Sequence, residues 1–152
     1  MSRYIGPELR REVAARADFL CEYCLIAEED TYFGCEVEHI ISLKHGGSSV
    51  LDNLAYACAF CNRHKGSDIG SVSESGEFVR FFNPRTDHWW EHFWLEGLFK
   101  LHHGVFIRHR TEVGEVTARI LQFNHSDRLL ERETLCEALR YPSDEAWQRI
   151  KR

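Results

Sequence analysis

Six cysteines and a few polar residues among them carry the chemistry-bearing pattern of this 152-residue chain. Cys21-x-x-Cys24 and Cys58-x-x-Cys61 form two knuckles separated by 33 residues. Zinc takes four soft ligands in a tetrahedron, and each knuckle sets two sulfurs on one side of a tight turn. The alternatives are four buried thiols or two disulfides, and the spacing and a reducing compartment favour metal over both. Four thiolates leave no open position for water, so a zinc held this way is structural. Cys35 and Cys136 have no partner knuckle and read as small core residues.

The chemistry must then lie in the segment that the knuckles enclose. "CEVEHIISLKHGGSSVLDNLAYACAFCNRHKGSD" runs from Cys35 to Asp68. It places Glu38-His39 at the end of an apolar run, Asn53-Leu54 after a glycine turn, and Asn62 directly after the second knuckle. A neutral imidazole takes a proton from water near pH 7. A carboxylate and an amide oxygen suit a hard divalent cation, which neutralises charge on a departing oxygen. That combination is what phosphodiester hydrolysis requires. Adjacent strand residues point to opposite faces, so Glu38 and His39 reach one site only where the backbone turns.

At these residues the stretch from about Arg10 to Asp68 resembles the HNH family of ββα-metal (His-Me finger) endonucleases, in the variety stapled by two Cys-x-x-Cys knuckles. "EHIISLKHGGSSVLDNLAYACAFCNRHKG" follows that family's order of acid-His, small turn, Asn-Leu, then Cys-x-x-Cys-Asn with Lys-Gly. The resemblance implies that His39 is the general base and that Asn53 braces the loop that orients it. It implies Glu38 and Asn62 as ligands of a catalytic Mg²⁺ or Mn²⁺, and Cys21, Cys24, Cys58 and Cys61 as ligands of a structural Zn²⁺. Lys65, three residues after Asn62, reads from its own position either as a phosphate contact or, at least as well, as a solvated helix end. The substrate implied is nucleic acid, DNA rather than RNA. The competing reading is a zinc module without catalysis that binds nucleic acid or a partner protein.

The elements that must position these groups follow from the pattern. "PELRREVAARA" predicts a helix over 7–17, with Pro7 in its first turn and Leu9, Val13 and Ala17 on one stripe. Cys35 to Leu43 reads as a strand and "KHGGSS" as a turn. From Leu51 the pattern predicts a short turn and then a helix stopping near Gly66, with Asn62 on the helix. Ser67 to Ser75 reads as a linker or turn, and Glu77 to Phe82 as a strand. The aromatic run after "NPRTD" predicts a hairpin broken near Gly97 or Gly104. Two helices follow, one through Leu121 and one with Leu129, Leu130, Leu135 and Leu139 on its apolar side. Phe81 to Phe93 also resembles a tail that follows the HNH core in small stand-alone bacterial proteins. Its aromatics, Phe81, Trp89, Phe93 and Trp94, read as core rather than as a base-stacking platform. His88, His92, His102, His103 and His109 have no carboxylate or cysteine at ligand spacing and read as polar sheet positions.

The fold expected is therefore α+β. A zinc-stapled ββα-metal core occupies 1–70, and a strand-and-helix extension over 71–152 packs on it. The net charge is −5, and both parts carry more acids than bases. Bulk electrostatics is a poor way for such a chain to hold DNA. Contact must come from a local cluster, a bound cation, or an accessory recognition or ATPase partner. Met1 to Arg11 has no apolar stretch and no run is long enough to span a bilayer, so a cytoplasmic location without membrane contact is expected.

Overall fold

The computed structural model describes residues 4–152; Met1 to Arg3, part of the stretch read for a signal, lie outside the described residues. The chain opens with α1, Pro7–Arg16, which has Pro in its first turn, Glu8 at its start and Arg16 at its end. Both charges complement the helix dipole. Val13 and Ala14 are buried against Leu54 and Tyr56. Arg16 donates to the carbonyls of Leu51 and Leu54, at 2.9 and 2.7 Å, and so ties the helix end to the segment it covers.

A tight reversal follows, closed by a bridge between Leu20 and Ala27. Next come β1, Cys35–His39, and β2, Leu54–Cys58. They pair antiparallel, with Cys35 opposite Cys58 at one end and His39 opposite Leu54 at the other. Helix α2, Ala59–Lys65, continues directly from β2. This is the expected strand–strand–helix order, with two corrections. The strand predicted to reach Leu43 stops at His39: the Ile40 amide makes a last in-register bond to the Asn53 carbonyl at 2.9 Å, and the Ile41 amide then turns to the Asn53 side-chain Oδ1 at 2.9 Å. The turn-and-helix predicted from Leu51 contains β2, whose five residues are all buried. Leu54 and Tyr56 face the small core under α1, while Ala55, Ala57 and Cys58 face the large core. A strand covered on both faces loses the alternation that would reveal it.

The second half forms two further hairpins and four helices among the described residues. β3, Gly70–Val72, pairs with β4, Phe78–Arg80, where a linker was expected. α3 is one turn, Trp89–His92, and leads into β5, Phe93–Glu96, which pairs with β6, Phe106–His109. Gly97 and Gly104 stand at the mouth of that hairpin with φ of 91° and 70°, the breaks that the sequence predicts. α4, Glu112–Ile120, is capped by Thr111, whose hydroxyl accepts from the Gly114 amide at 3.1 Å. α5, Ser126–Glu137, and α6, Asp144–Ile150, complete the chain.

The predicted apolar side of α5 is buried only in part: Leu129 and Leu135 are half-buried, with Leu135 packed on the core. Leu130 and Leu139 are 63% and 84% exposed, whereas Arg128, Arg132 and Cys136 are buried. Arg132 donates to the carbonyls of Val105 and Phe123, at 2.8 and 2.7 Å, so the helix caps loop backbone that would otherwise be unpaired. One hydrophobic cluster joins the knuckle cysteines to Phe81, Phe82, Trp89, Phe93, Phe123, Tyr141 and Ala146. Trp94, read as core, is partly exposed. The result is a mixed α+β protein built from short antiparallel strand pairs and helices.

Candidate functional site

The cysteine end of the first hairpin is built by two reversals brought side by side. In the first, Leu25 adopts φ 65° directly after Cys24, and the Cys21 amide bonds the Ile26 carbonyl at 2.9 Å. The Glu22 amide reaches the Tyr56 carbonyl at 2.9 Å, which docks this knuckle on β2. The second knuckle opens α2, with Cys58 as N-cap accepting from the Cys61 amide at 3.4 Å. All four sulfurs lie within 4.8 Å of one another and all four residues are buried. Cys24 and Cys58 Sγ are 3.8 Å apart. A tetrahedron with Zn–S bonds of about 2.3 Å has edges of about 3.8 Å. The cavity thus has the size and donor chemistry for zinc. Four thiolates around Zn²⁺ leave an excess negative charge, and the buried Arg128 of α5 answers it. Its Nη2 donates to Cys24 Sγ at 2.9 Å and its Nη1 reaches Cys58 Sγ at 3.5 Å. Trp89 Nε1 bonds the Tyr23 carbonyl, and the Tyr141 hydroxyl bonds the Cys24 carbonyl, each at 2.9 Å. The extension therefore holds the first knuckle from three sides.

The opposite end of the hairpin carries His39. The ring is half-buried, and its Nε2 lies 2.8 Å from the Ser49 hydroxyl. Asn53 pins the loop that brings Ser49 there. Its Oδ1 accepts from the Ile41 amide at 2.9 Å, and its Nδ2 donates to the carbonyls of Ile41 and Ser48 at 2.8 and 2.9 Å. The glycine pair serves this closure in two ways. Gly46 takes φ 88°, while a Cβ on Gly47 would lie 1.7 Å from the Ile41 carbonyl oxygen. Burial, and then the charge of Lys65, hold the His39 imidazole below its ordinary pKa, so the ring stays neutral to lower pH.

Glu38 is turned away from the surface. It is 5% exposed, accepts from the Tyr23 hydroxyl, and pairs with Lys65 Nζ at 3.0 Å. Burial pushes its carboxyl up, against the pull of Lys65 and the Tyr23 bond. Burial and then the Glu38 charge push the Tyr23 phenol well up, so it stays a donor. Lys65 itself is 1% exposed and also donates to the His39 carbonyl at 2.9 Å. The expected phosphate contact at Lys65 is thus corrected: its ammonium is an internal cation that fixes Glu38 and the end of β1. Asn62 lies on the exposed side of α2, and its Nδ2 donates to Glu36 Oε2 at 2.9 Å rather than meeting Glu38. The fold therefore gathers the cysteines, joins Glu38 to Lys65, and braces His39 through Asn53. Asn62 is left beside a different carboxylate.

Several members of this arrangement escaped the sequence reading. Tyr23 lies inside the first knuckle, and Ser49 follows the glycine pair, so both sat beside recognised motifs. Glu36 shares a strand face with Glu38 by the period of two, a signal the pattern did contain. Arg128 is an unremarked helix residue with no local signal. Arg85, from the turn after Pro84, pairs with buried Glu22 and donates to the Leu54 carbonyl at 3.1 Å.

Residues 21–68 match the family model described as HNH endonuclease. The match covers about a third of the chain and runs from the first knuckle cysteine to the residue where the motif ends. No curated protein and no solved structure matches the chain. The HNH segment contains both knuckles, His39, Asn53 and Asn62, and its family assigns it a nuclease or nucleic-acid-related role. No helix among the described residues is long and apolar enough to cross a membrane.

Proposed function

We propose that the protein is an endonuclease that hydrolyses phosphodiester bonds in DNA, with His39 as general base. The observation that carries this reading is a neutral, half-exposed imidazole on a loop clamped by Asn53, inside the segment that matches the HNH family. His39 takes a proton from water as the water oxygen bonds to phosphorus. The bond from phosphorus to the 3′ oxygen breaks, and that oxygen takes a proton from solvent, leaving a 5′ phosphate. Asn53 acts through the loop, holding the ring against Ser49 while the proton moves.

A divalent cation, Mg²⁺ or Mn²⁺, supplies charge neutralisation at the departing oxygen when bound. Asn62 and the neighbouring Glu36 are exposed oxygen donors that suit such an ion. Glu38 becomes a ligand only by giving up Lys65, whose ammonium already satisfies it. The structural metal is Zn²⁺ on Cys21, Cys24, Cys58 and Cys61, held in place by Arg128. The acidic net charge supports a nuclease delivered to DNA by an accessory recognition or ATPase partner rather than one that binds tightly alone.

Nicking of supercoiled plasmid by the purified protein with Mg²⁺ or Mn²⁺, beside His39→Ala, tests the reading. Cation-dependent nicking that disappears in a folded, zinc-retaining His39→Ala supports it. Nicking that persists in that variant removes His39 from the role. No nicking by either protein, with or without a DNA-delivering partner, leaves a zinc module that binds without cutting.

A further inference from the structure

The histidines of the second half read in sequence as sheet positions without ligand partners. The fold alters that for one of them. His102 lies in the β5–β6 loop, and α5 brings Glu133 and Glu137 to it. The candidate ligand atoms of the three side chains all lie within 4.8 Å of one another. Glu133 and Glu137 are four apart on one helix, so they share a face. His102 comes from a separate element more than thirty residues earlier in the chain, which is why no local spacing marked the set.

Two observations point to a cation between them. Among the described residues, none gives any of these side chains a hydrogen bond or an ion pair. Two converging carboxylates are therefore left uncompensated. They also sit in the C-terminal half of α5, whose last turn has no basic residue. Carboxylates are disfavoured there, because the helix dipole already places partial negative charge at that end. A divalent cation offsets both carboxylates and the dipole at once. Imidazole nitrogen with two carboxylate oxygens suits borderline metals such as Zn²⁺ or Mn²⁺ better than Mg²⁺, which prefers an all-oxygen shell rich in water.

We propose that His102, Glu133 and Glu137 form a second divalent-metal site, distinct from the four-cysteine centre, that clasps the β5–β6 loop onto α5. The site has only three protein ligands and stands at the surface, so it exchanges its ion readily while the cysteine centre keeps its own. Its role is to fix the loop from Gly97 to Gly104, in which Phe99 and His102 take φ of 63° and 60°. The proposal does not depend on the nuclease reading.

The test uses the full-length protein with zinc already on its cysteines. Zn²⁺ and Mn²⁺ are titrated calorimetrically into wild type, His102→Ala and Glu133→Gln/Glu137→Gln. These side chains are not in the core, so the variants fold, and unchanged circular dichroism and cysteine-bound zinc confirm it. The expected result is one additional ion on wild type, with affinity at least tenfold weaker in both variants. A cation held at Asn62 is present in all three proteins and cancels in the difference. Equal stoichiometry and affinity across the three proteins would overturn the site. So would binding lost in Glu133→Gln/Glu137→Gln but intact in His102→Ala, which would describe unspecific attraction to acids.

Discussion

The two ends of the five-pair β1–β2 ladder obey opposite rules. At the Cys58 end every group faces inward: four buried sulfurs, a buried guanidinium on two of them, and two aromatic donors on the backbone behind. At the His39 end the charge is inside and the half-buried imidazole, the base of the proposed reaction, reaches the surface. Glu38 and Lys65 neutralise one another in the interior, and His39 is left at the surface on a clamped loop. The geometry of the first end is fixed by many contacts that converge on the four sulfurs. The second has a buried ion pair that sets the strand end and a half-buried ring, bonded to Ser49, that the proposed reaction uses as its base. In the proposed function a single short hairpin thus separates holding from reacting.

The largest expected effect tests that convergence. Cys58→Ser removes one of the four sulfurs, while the serine hydroxyl can still cap α2, so the loss falls on the metal centre. Structural zinc in small domains carries an apparent binding free energy of about 10–16 kcal/mol, more than most domains have in total stability. The variant is expected to lose zinc and cooperative unfolding, read by metal analysis and thermal circular dichroism. A cooperative, zinc-free Cys58→Ser would show that the aromatic contacts alone hold this end, and the contrast would fail.

The next effect belongs to the buried pair. Lys65→Met leaves the Glu38 carboxylate in the interior without its cation. Breaking one partner of a buried pair costs about 3–5 kcal/mol. Glu38→Gln/Lys65→Met removes both charges and is expected to recover most of that loss in denaturant unfolding. If Lys65→Met is as stable as wild type, the pair is not what fixes the end of β1, and Glu38 is free to serve a cation.

That pair also marks where the sequence stopped being informative. The knuckles and the Glu-His, Asn and Asn order were legible because motif spacing is local and chemically specific. So were α1, with Pro in its first turn, and the glycine-broken hairpin, whose breaks depend on backbone conformations glycine favours. β2 was hidden because both its faces are covered. The buried face of α5 was misread in part because Arg128 points inward to the cysteine sulfurs and Arg132 to loop carbonyls, beside the partly buried Leu135. Side-chain direction at Glu38 and Lys65 was beyond reach for a different reason. Whether a carboxylate faces a substrate or an ammonium is decided by which helix turn lies over it, and residue types do not encode that distance.

A smaller effect separates the clamp from the ring it holds. Asn53→Ala removes three side-chain hydrogen bonds to the Ile41 and Ser48 backbone, at 2.8 to 2.9 Å. Backbone groups near the surface recover water, so the stability loss is expected near 1–2 kcal/mol. Activity is expected to fall further than stability, because Ser49 and His39 lose their fixed relation while zinc is retained. An equal, modest drop in both would make Asn53 a fold residue only.

The smallest effect is a shift along the pH axis, and its sign follows from the charges. Burial and then Lys65 depress the His39 pKa below its ordinary 6.5. The folded ring therefore resists protonation while the unfolded ring accepts it near 6.5. As pH falls through 6.5 the unfolded state gains the proton first, and stability declines until the folded pKa is passed, then levels off. For catalysis the same depression is favourable, because the neutral base persists into mildly acidic solution. The acidic limb of the nicking rate is expected below 6.5, matching the titration of the His39 ring followed by NMR. In Glu38→Gln/Lys65→Met the nearby cation is gone while the burial remains, so both the limb and the titration should move up toward 6.5 without passing it. If the ring titrates above 6.5 in the wild type, a carboxylate rather than Lys65 governs it. The interior pair would then no longer explain why the reactive end of the hairpin stays neutral.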